Sequence, residues 1–217
     1  MKKEILLVGG GGHCKVVMSI IDERDDIEVF GISDDDEKKM GMFIDRKKIA
    51  YSQKDWQAII KRCENAHVAF GSVDIPYQRK KIWESLRVIG FKFPPIISKQ
   101  AKIARDVQIG CGTVIMPGVV INPGVVIGNN CIINTGAIID HDCTIGDHSH
   151  IAPGVVLSGT VETGEMTHIG TGVIVIQGIK IGQYSLIAAG AVVVKDVPDY
   201  SKAMGVPAKL IRTNQTR

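Results

Sequence analysis

Four histidines fall within a stretch of 28 residues in the second half of the chain, at positions 141, 148, 150 and 168. His141 is followed by Asp142, and a neighbouring carboxylate orients an imidazole and raises its basicity, as a general base near neutral pH requires. The pair therefore predicts proton transfer. One alternative is that these histidines are ordinary polar surface residues. Another is a zinc site, but the four rings fall on different columns of the repeat described below, and no cysteine is expected to face outward beside them, so no metal is predicted.

A second candidate site is the glycine-rich loop at residues 9–12, which follows an apolar stretch and opens a helical pattern at His13. This arrangement presents backbone N–H groups to a phosphate. The dinucleotide fingerprint G-x-G-x-x-G fails in both registers, because Cys14 or Lys15 stands where the last glycine is required. The loop thus favours the phosphate of a nucleotide or nucleotide-sugar over NAD. A plain tight turn between a strand and a helix is the alternative.

Asp34 and Asp35 end the second predicted strand, and both carboxylates are predicted to accept hydrogen bonds from a ribose or the edge of a base. The alternative is a charged, solvated loop. The acidic strand end and the glycine loop together favour the nucleotide interpretation over either feature alone.

The second half of the chain is built on a six-residue period. From residue 97 to residue 193 every sixth residue is aliphatic, except Thr163. Neither a helix nor an alternating strand has this period, which is typical of a parallel β-helix. Four positions after these aliphatic residues stand small or β-branched side chains, among them Thr113, Val119, Ala137, Cys143, Ser149, Val155 and Ala191.

The period also predicts which side chains stack on one another. Known β-helices have three hexads per coil, so residues 18 apart lie one above the other at about 4.8 Å. His150 then stacks on His168, while His141 lies below Gly159, and the missing side chain of this glycine is expected to leave space above the imidazole. A neighbouring column is also small, so a shallow groove is predicted beside the histidine, able to hold a long, thin ligand; this column consists of Pro153, Thr171 and Ala189.

The first half has a different pattern, in which strand-like and helix-like stretches alternate. Strands are predicted at residues 4–8, 27–32 and 67–70, and helices at residues 13–22, 54–62 and 76–89. This order predicts a small, Rossmann-like parallel sheet covered by helices, with residues 91–93 as an added edge strand. Two prolines at positions 94 and 95 mark a hinge, so we predict two domains, residues 1–93 and 94–217, the second ending in a tail with a basic end.

Composition excludes several classes of function. The net charge of +3, from 26 basic and 23 acidic residues, is too balanced for a partner that is a nucleic acid or a membrane surface. No apolar run reaches the roughly 18 residues that cross a bilayer. The apolar part of the N-terminus, residues 5–8, is too short for a signal peptide. The five cysteines form no C-x-x-C pair, and Cys131 and Cys143 share the inward column, which predicts buried thiols and a reducing cytoplasm.

Taken together, these motifs resemble a known family. The repeats are similar to the left-handed β-helix acyltransferases, and nearly all of the 217 residues resemble the bacterial nucleotide-sugar acetyltransferases of the PglD and NeuD type. The resemblance rests on V-G-G-G-G-H-C at residues 8–14, S-D-D at 33–35, N-T-G-A-I-I-D-H-D at 134–142, S-H at 149–150 and G-V-P-A-K at 205–209. The family usually carries a smaller residue in place of Cys14.

The resemblance implies a homotrimer with active sites between neighbouring β-helices, acetyl-CoA as co-substrate and no metal. His141 would be the general base, with Asp142 as its partner. Acetyl-CoA would be held by His150, Gly159, Thr171 and Ala189, and near its adenine by Gly205, Pro207 and Lys209. The nucleotide-sugar would be held by Gly11, Gly12, His13, Asp34, Asp35 and Gly71.

The implied reaction is direct N-acetylation of a nucleotide-linked 4-amino-4,6-dideoxy sugar, with His141 removing a proton from the amine. Three alternatives stay open at this point. The same fold and base can acetylate a hydroxyl of sialic acid or a related sugar, the protein can be a nucleotide-binding scaffold without activity, and the chemistry can depend on a metal. The sequence leaves the nucleotide base and the pathway undetermined.

Overall fold

The computed structural model describes residues 2–213. The first half of the chain contains a five-stranded sheet. The sheet contains β1 Lys3–Val8, β2 Ile27–Ser33, β3 Phe43–Ile44, β4 Lys47–Tyr51 and β5 Asn65–Val68, in the order β3-β4-β2-β1-β5. The helices are α1 Gly12–Asp22, α2 Trp56–Ile59 and α3 Tyr77–Ile89, and 3₁₀ turns lie at Glu37–Lys39 and Gln53–Asp55. Within this sheet all strand pairs are parallel except β3 with β4.

This sheet confirms the predicted α/β class but differs in detail. The hairpin of β3 and β4 was not predicted, because β3 has two residues and lysines interrupt the apolar pattern. The helix predicted at residues 54–62 is one 3₁₀ turn followed by the single turn α2, which buries Trp56 and Ile59. The edge strand predicted at residues 91–93 is a single bridge between Lys92 and Asn65.

The second half consists of seventeen two-residue strands. They are β6 Ile96–Ile97, β7 Lys102–Ile103, β8 Gln108–Ile109, β9 Val114–Ile115, β10 Val120–Ile121, β11 Val126–Ile127, β12 Ile132–Ile133, β13 Ile138–Ile139, β14 Thr144–Ile145, β15 His150–Ile151, β16 Val156–Leu157, β17 Glu162–Thr163, β18 His168–Ile169, β19 Ile174–Val175, β20 Lys180–Ile181, β21 Leu186–Ile187 and β22 Val192–Val193. In β15, His150 pairs with His168 and Ile151 with Ile169, so the period of 18 residues per coil is confirmed.

The coils form a prism with three sheets. The first face contains β6, β9, β12, β15, β18 and β21, the second face β7, β10, β13, β16, β19 and β22, and the third face β8, β11, β14, β17 and β20. We call the edge between the second and third faces, which contains residues 140–143, the His141 corner. The edge between the first and second faces, which contains residues 170–173, is the Thr171 corner. The edge between the third and first faces, which contains residues 128–131, is the Asn130 corner.

The inside of the prism is closely packed and apolar. The second residue of each strand points inward, as the six-residue column predicts. Thr163 also points inward, but it is polar where the other residues of the column are aliphatic. It is buried between Ile145 and Ile181, and its Oγ1 has no hydrogen-bond partner. Cys131 and Cys143 are buried free thiols, as predicted, whereas Cys111 is exposed.

The α/β part packs on the first face and the Asn130 corner. The buried guanidinium of Arg79, on α3, donates to the backbone carbonyls of Asn130, His148 and Ser149. At its end the first face is extended by β23 Ser201–Met204 and β24 Lys209–Thr213. The last residues of the predicted basic tail, 214–217, lie outside the described residues. Between residues 2 and 213, no helix is both long and apolar enough to cross a membrane.

Candidate active site

His141 and Asp142 form a hydrogen-bonded pair at the His141 corner. Nδ1 of His141 lies 2.8 Å from Oδ2 of Asp142. Because a carboxylate only accepts, Nδ1 carries the proton and Nε2 is left with a free lone pair. The hydrogen bond to Asp142 raises the pKa of His141, with a further contribution from the charge of Asp140. This arrangement gives an exposed imidazole the properties of a general base.

Gly159 lies against the imidazole instead of leaving space above it. A Cβ at Gly159 would lie 2.5 Å from Nε2 and 2.6 Å from Cε1 of His141. The expected space is therefore filled by the ring itself, since a buried glycine lets the imidazole lie across the next coil. With the ring in this position there is no room for a side chain at residue 159.

The predicted groove is also absent within one chain, because its residues occupy two different corners. Gly159 is at the His141 corner, whereas Thr171 and Ala189 are exposed at the Thr171 corner, with the whole second face between them. The predicted stacking of residues 18 apart is correct. However, stacking alone does not determine which columns share a corner of the prism. A ligand that touches both sets has to reach across the second face of one chain or lie between two copies of the chain.

His150 stacks on His168 as predicted, with ring centroids 4.9 Å apart, but it is buried beneath the α/β part. Nδ1 of His150 lies 3.0 Å from the carbonyl oxygen of Ser72, and Nε2 lies 3.1 Å from Nδ2 of Asn134. A carbonyl accepts and an amide N–H donates, so the proton is on Nδ1. Burial lowers the pKa of His150 well below its ordinary value, which agrees with a neutral ring.

The residues expected near adenine lie at the last coil of the second face. All three are exposed: Gly205 and Pro207 lie in the connection between β23 and β24, and Lys209 is the first residue of β24. The carbonyl of Gly205 accepts from the backbone N–H of Val192 at 3.1 Å, and the N–H of Ala208 donates to the carbonyl of Val192 at 2.8 Å. This connection is therefore tied to the end of the second face.

The glycine loop has the geometry of an anion site. Helix α1 begins at Gly12 with Gly11 in extended conformation, and a Cβ at either position would meet nothing within 4 Å. Both backbones are therefore open to a ligand at the positive end of the helix dipole. Cys14, the departure from the family pattern, is buried in the core below the loop, where burial raises the pKa of its thiol to about 12.

Asp34 is engaged with the protein in addition to facing the cleft. Oδ2 accepts from the N–H of Gly10 at 2.7 Å and from Nζ of Lys39 at 3.0 Å, and Oδ1 accepts from the N–H of Asp36 at 2.9 Å. Asp35 is exposed and accepts from the N–H of Gln53 at 2.7 Å. Asp34 thus fixes the shape of the glycine loop, a role that its sequence position alone did not indicate.

His13 and Gly71 lie at the other end of the loop, toward the β-helix. A Cβ at Gly71 would lie 3.9 Å from Nδ1 of His13 and 4.0 Å from Cε1 of His150. Burial lowers the pKa of His13 to about 4, so the ring is neutral near pH 7. Its Nε2 is buried without a hydrogen-bond partner.

A cleft of about 370 Å³ connects the loop with the acidic strand end. Of the six residues predicted to hold the nucleotide-sugar, Gly11, Asp34 and Asp35 line this cleft, whereas Gly12, His13 and Gly71 do not. Its other lining residues include Lys39, Phe70, Gln78 and Ile82. No motif in the sequence marks these four residues, because they come from a 3₁₀ turn, the segment after β5 and helix α3. Within residues 2–213, no three His, Cys, Asp or Glu side chains are grouped so as to hold a metal ion.

Two family models match different parts of the chain. The family model described as the PglD N-terminal domain matches residues 4–86, and the bacterial transferase hexapeptide model, of six repeats, matches residues 106–141 and 124–159. Together the matches cover residues 4–86 and 106–159.

Several solved structures are similar over almost the whole chain. Perosamine N-acetyltransferase from Caulobacter crescentus, solved with CoA and GDP-perosamine in a variant with one histidine replaced by asparagine, is 34% identical, with a TM-score of 0.89 and coverage of 95% of this chain and 96% of that chain. The acetyltransferase domain of PglB from Neisseria gonorrhoeae, also solved with acetyl coenzyme A, is 31% identical, with a TM-score of 0.87 and coverage of 97% and 100%. WeeI from Acinetobacter baumannii, at 23% identity, a TM-score of 0.79 and coverage of 97% and 100%, shares the fold.

Proposed function

This chain belongs to the PglD-like hexapeptide-repeat acyltransferases, and we propose that it transfers the acetyl group of acetyl-CoA to the amine of a nucleotide-linked 4-amino-4,6-dideoxy sugar. The observation that carries the proposal is the exposed, hydrogen-bonded His141–Asp142 pair. The fold that presents this pair matches, across 95% of this chain, an N-acetyltransferase solved with CoA and GDP-perosamine. Acetyl-CoA is a co-substrate consumed in the reaction, and no step needs a metal.

Proton removal is the part of the reaction that the dyad performs. The amine lone pair attacks the thioester carbonyl, the new C–N bond forms, and the C–S bond breaks as the electron pair leaves with the CoA sulfur. Nε2 of His141 takes a proton from the amine, while Asp142 stabilises the imidazolium across the 2.8 Å hydrogen bond. The proton then passes to the thiolate. Such assistance contributes about 10² to 10⁴ in rate, and none of the free cysteines is needed as a nucleophile.

The α/β part would hold the acceptor in a defined direction. Asp35 at the strand end would face the nucleotide base, and the open backbone of Gly11 and Gly12 would receive the diphosphate. Gly71 and His13 lie nearest the β-helix, next to His150. The sugar would therefore point toward the β-helix. Asp34 supports this site by holding Gly10.

A homotrimer would complete the site, as the outward residues of the second face suggest. On the third face these residues are mainly polar, but on the second face they are apolar beyond the first coil, namely Val120, Ile138, Val156, Ile174 and Val192. This face separates His141 from Thr171 and Ala189 within a chain. Packing of second faces between copies covers it and brings one copy's His141 toward another copy's Thr171 corner. Acetyl-CoA would bind between them, with Gly205, Pro207 and Lys209 at its adenine end.

The test is an acceptor panel. The protein is incubated with acetyl-CoA and the UDP-, GDP- or CMP-linked 4-amino sugars, thiol release is followed, and products are identified by mass. We expect one nucleotide-sugar to gain an amide-linked acetyl group. Acetylation of a hydroxyl, which hydroxylamine reverses, would favour the sialic acid type of reaction, and no acetylated product from any acceptor would refute the proposal. A cytoplasmic location and the domain boundary at residues 93 and 94 stay predictions.

A further inference from the structure

The coil directly below the catalytic pair has an unusual composition. The D-H-D motif of residues 140–142 lies 18 residues after Asn122, Pro123 and Gly124. Each of these three residues therefore lies directly below one residue of the motif. We call residues 122–124 the supporting coil. In the column of Asn122 and Asp140, the other coils carry Ala104, Ser158, Ile176 and Val194. Thus Asn122 and Asp140 are the one Asn–Asp pair in this column.

Asn122 acts on the main chain of His141 through Asp140. Nδ2 of Asn122 donates to Oδ1 of Asp140 at 2.7 Å, and the same oxygen accepts from the backbone N–H of His141 at 2.8 Å. The Asn122 hydrogen bond is the main reason why the pKa of Asp140 is lowered. Asp140 is thereby kept ionised and fixed in one orientation, and it holds the backbone from which the imidazole projects.

Gly124 acts on the carboxylate of Asp142. A Cβ at Gly124 would lie 2.3 Å from Oδ1 of Asp142, so any side chain here displaces the carboxylate that is bonded to Nδ1 of His141. The glycine cannot easily move away, because its N–H donates to Oδ2 of Asp106 at 2.9 Å. Asp142 itself has a left-handed φ of 59°, which sets the direction in which its Cα–Cβ bond leaves the corner.

We propose that Asn122 and Gly124 are positioning residues that set the orientation of the His141–Asp142 pair, Asn122 through Asp140 and Gly124 by leaving room for Asp142. The proposal rests on the proposed function for its kinetic consequences, but its geometric part holds for the protein alone. Neither residue touches the reacting atoms. Among the described residues, the charged groups that face His141 are Asp140 and Asp142.

The experiment combines NMR titration of His141 with steady-state kinetics in Gly124→Ala and Asn122→Leu. Each has a matched control. Gly178→Ala changes a glycine of the same column with a φ of 76°, against 78° for Gly124, where a Cβ meets only Oγ1 of Thr160 at 3.9 Å. Asn129→Leu removes an Asn–Asp contact of 3.3 Å at the Asn130 corner. Gly178→Ala shares the backbone strain of Gly124→Ala, and Asn129→Leu shares the loss of a side-chain amide with Asn122→Leu. Neither control changes a residue linked to Asp140 or Asp142.

In Gly124→Ala we expect the pKa of His141 to fall toward its ordinary value and kcat to drop by about 10-fold or more, because a displaced carboxylate no longer orients the base. In Asn122→Leu we expect kcat to fall by about 10-fold with KM for both substrates nearly unchanged. The control variants should keep the wild-type pKa and kcat.

An unchanged His141 pKa in Gly124→Ala, together with wild-type kcat in Asn122→Leu, would overturn the proposal. If Gly124→Ala does not fold, Asn122→Leu decides alone, through its kcat and the pKa of His141. If the wild-type protein transfers no acetyl group, the proposed function fails, while the titration of His141 in the same variants still decides the positioning role.

Discussion

Substitution of Gly159 by alanine would place a methyl group where the imidazole of His141 now lies. The added Cβ would be 2.5 Å from Nε2, 2.6 Å from Cε1 and 3.2 Å from Cδ2. Non-bonded heavy atoms prefer about 3.5 to 4.0 Å, so the ring has to move by roughly 1 Å. His141 can move, because 49% of its side chain is exposed. The alanine itself needs no unusual backbone, since Gly159 is not among the residues with positive φ.

The expected result is a loss of rate without a loss of fold. A misplacement of about 1 Å costs about 10²-fold in a positioned reaction, and general-base assistance sets a ceiling of about 10⁴. We therefore expect kcat to fall by about 10²-fold, while the melting temperature stays close to that of the wild type because the clash is relieved toward solvent. The assay is release of CoA thiol with saturating acetyl-CoA and the best acceptor of the panel.

A double-mutant cycle provides the control. In the His141→Ala background the clash disappears, so Gly159→Ala should change kcat by less than about threefold there. Wild-type kcat in Gly159→Ala would refute the geometry of the imidazole. An equal loss in both backgrounds would show that Gly159 acts in some other way, for example by direct contact with acetyl-CoA.

Three further predictions follow from the same structure. Asp142→Asn removes the main cause of the raised pKa of His141. Because the base must be neutral to act, the acidic limb of the pH profile of kcat/KM should shift to lower pH, and the plateau should fall. An acidic limb at the wild-type pH would contradict the pairing of His141 with Asp142. Ile174→Glu puts a charge on the apolar second face and should reduce the sedimenting mass to that of a monomer, whereas Lys180→Glu on the third face should not. Thr163→Val removes a buried hydroxyl without a partner and should stabilise the fold by about 1 kcal/mol, raising the melting temperature by about 2 to 4 °C; a lower melting temperature would argue against an apolar environment.

The β-helix was predictable because its order is local and repetitive. The place of Ile151 in the six-residue column is enough to assign it to the core. The 18-residue spacing between His150 and His168 is enough to predict that they stack. The adjacency of His141 and Asp142 likewise survives folding, because successive residues at a corner stay within hydrogen-bond reach.

Features that depend on packing between distant segments were not predictable. His150 is outward on the β-helix, as its column requires, but the Ser72 loop buries it. Asp34 ends a strand as expected, yet Gly10 and Lys39 share its carboxylate. The space above His141 depended on which way the ring turns, which the stacking period does not determine.

The most direct test of His141 as the general base is the turnover of His141→Ala on the accepted nucleotide-sugar, compared with the wild type at equal assembly state and melting temperature. With Nε2 as the base, turnover should fall by about 10² to 10⁴, and the residual product should be the same N-acetylated sugar. Turnover equal to that of the wild type would contradict the assignment of His141 and, with it, the account of how this protein works.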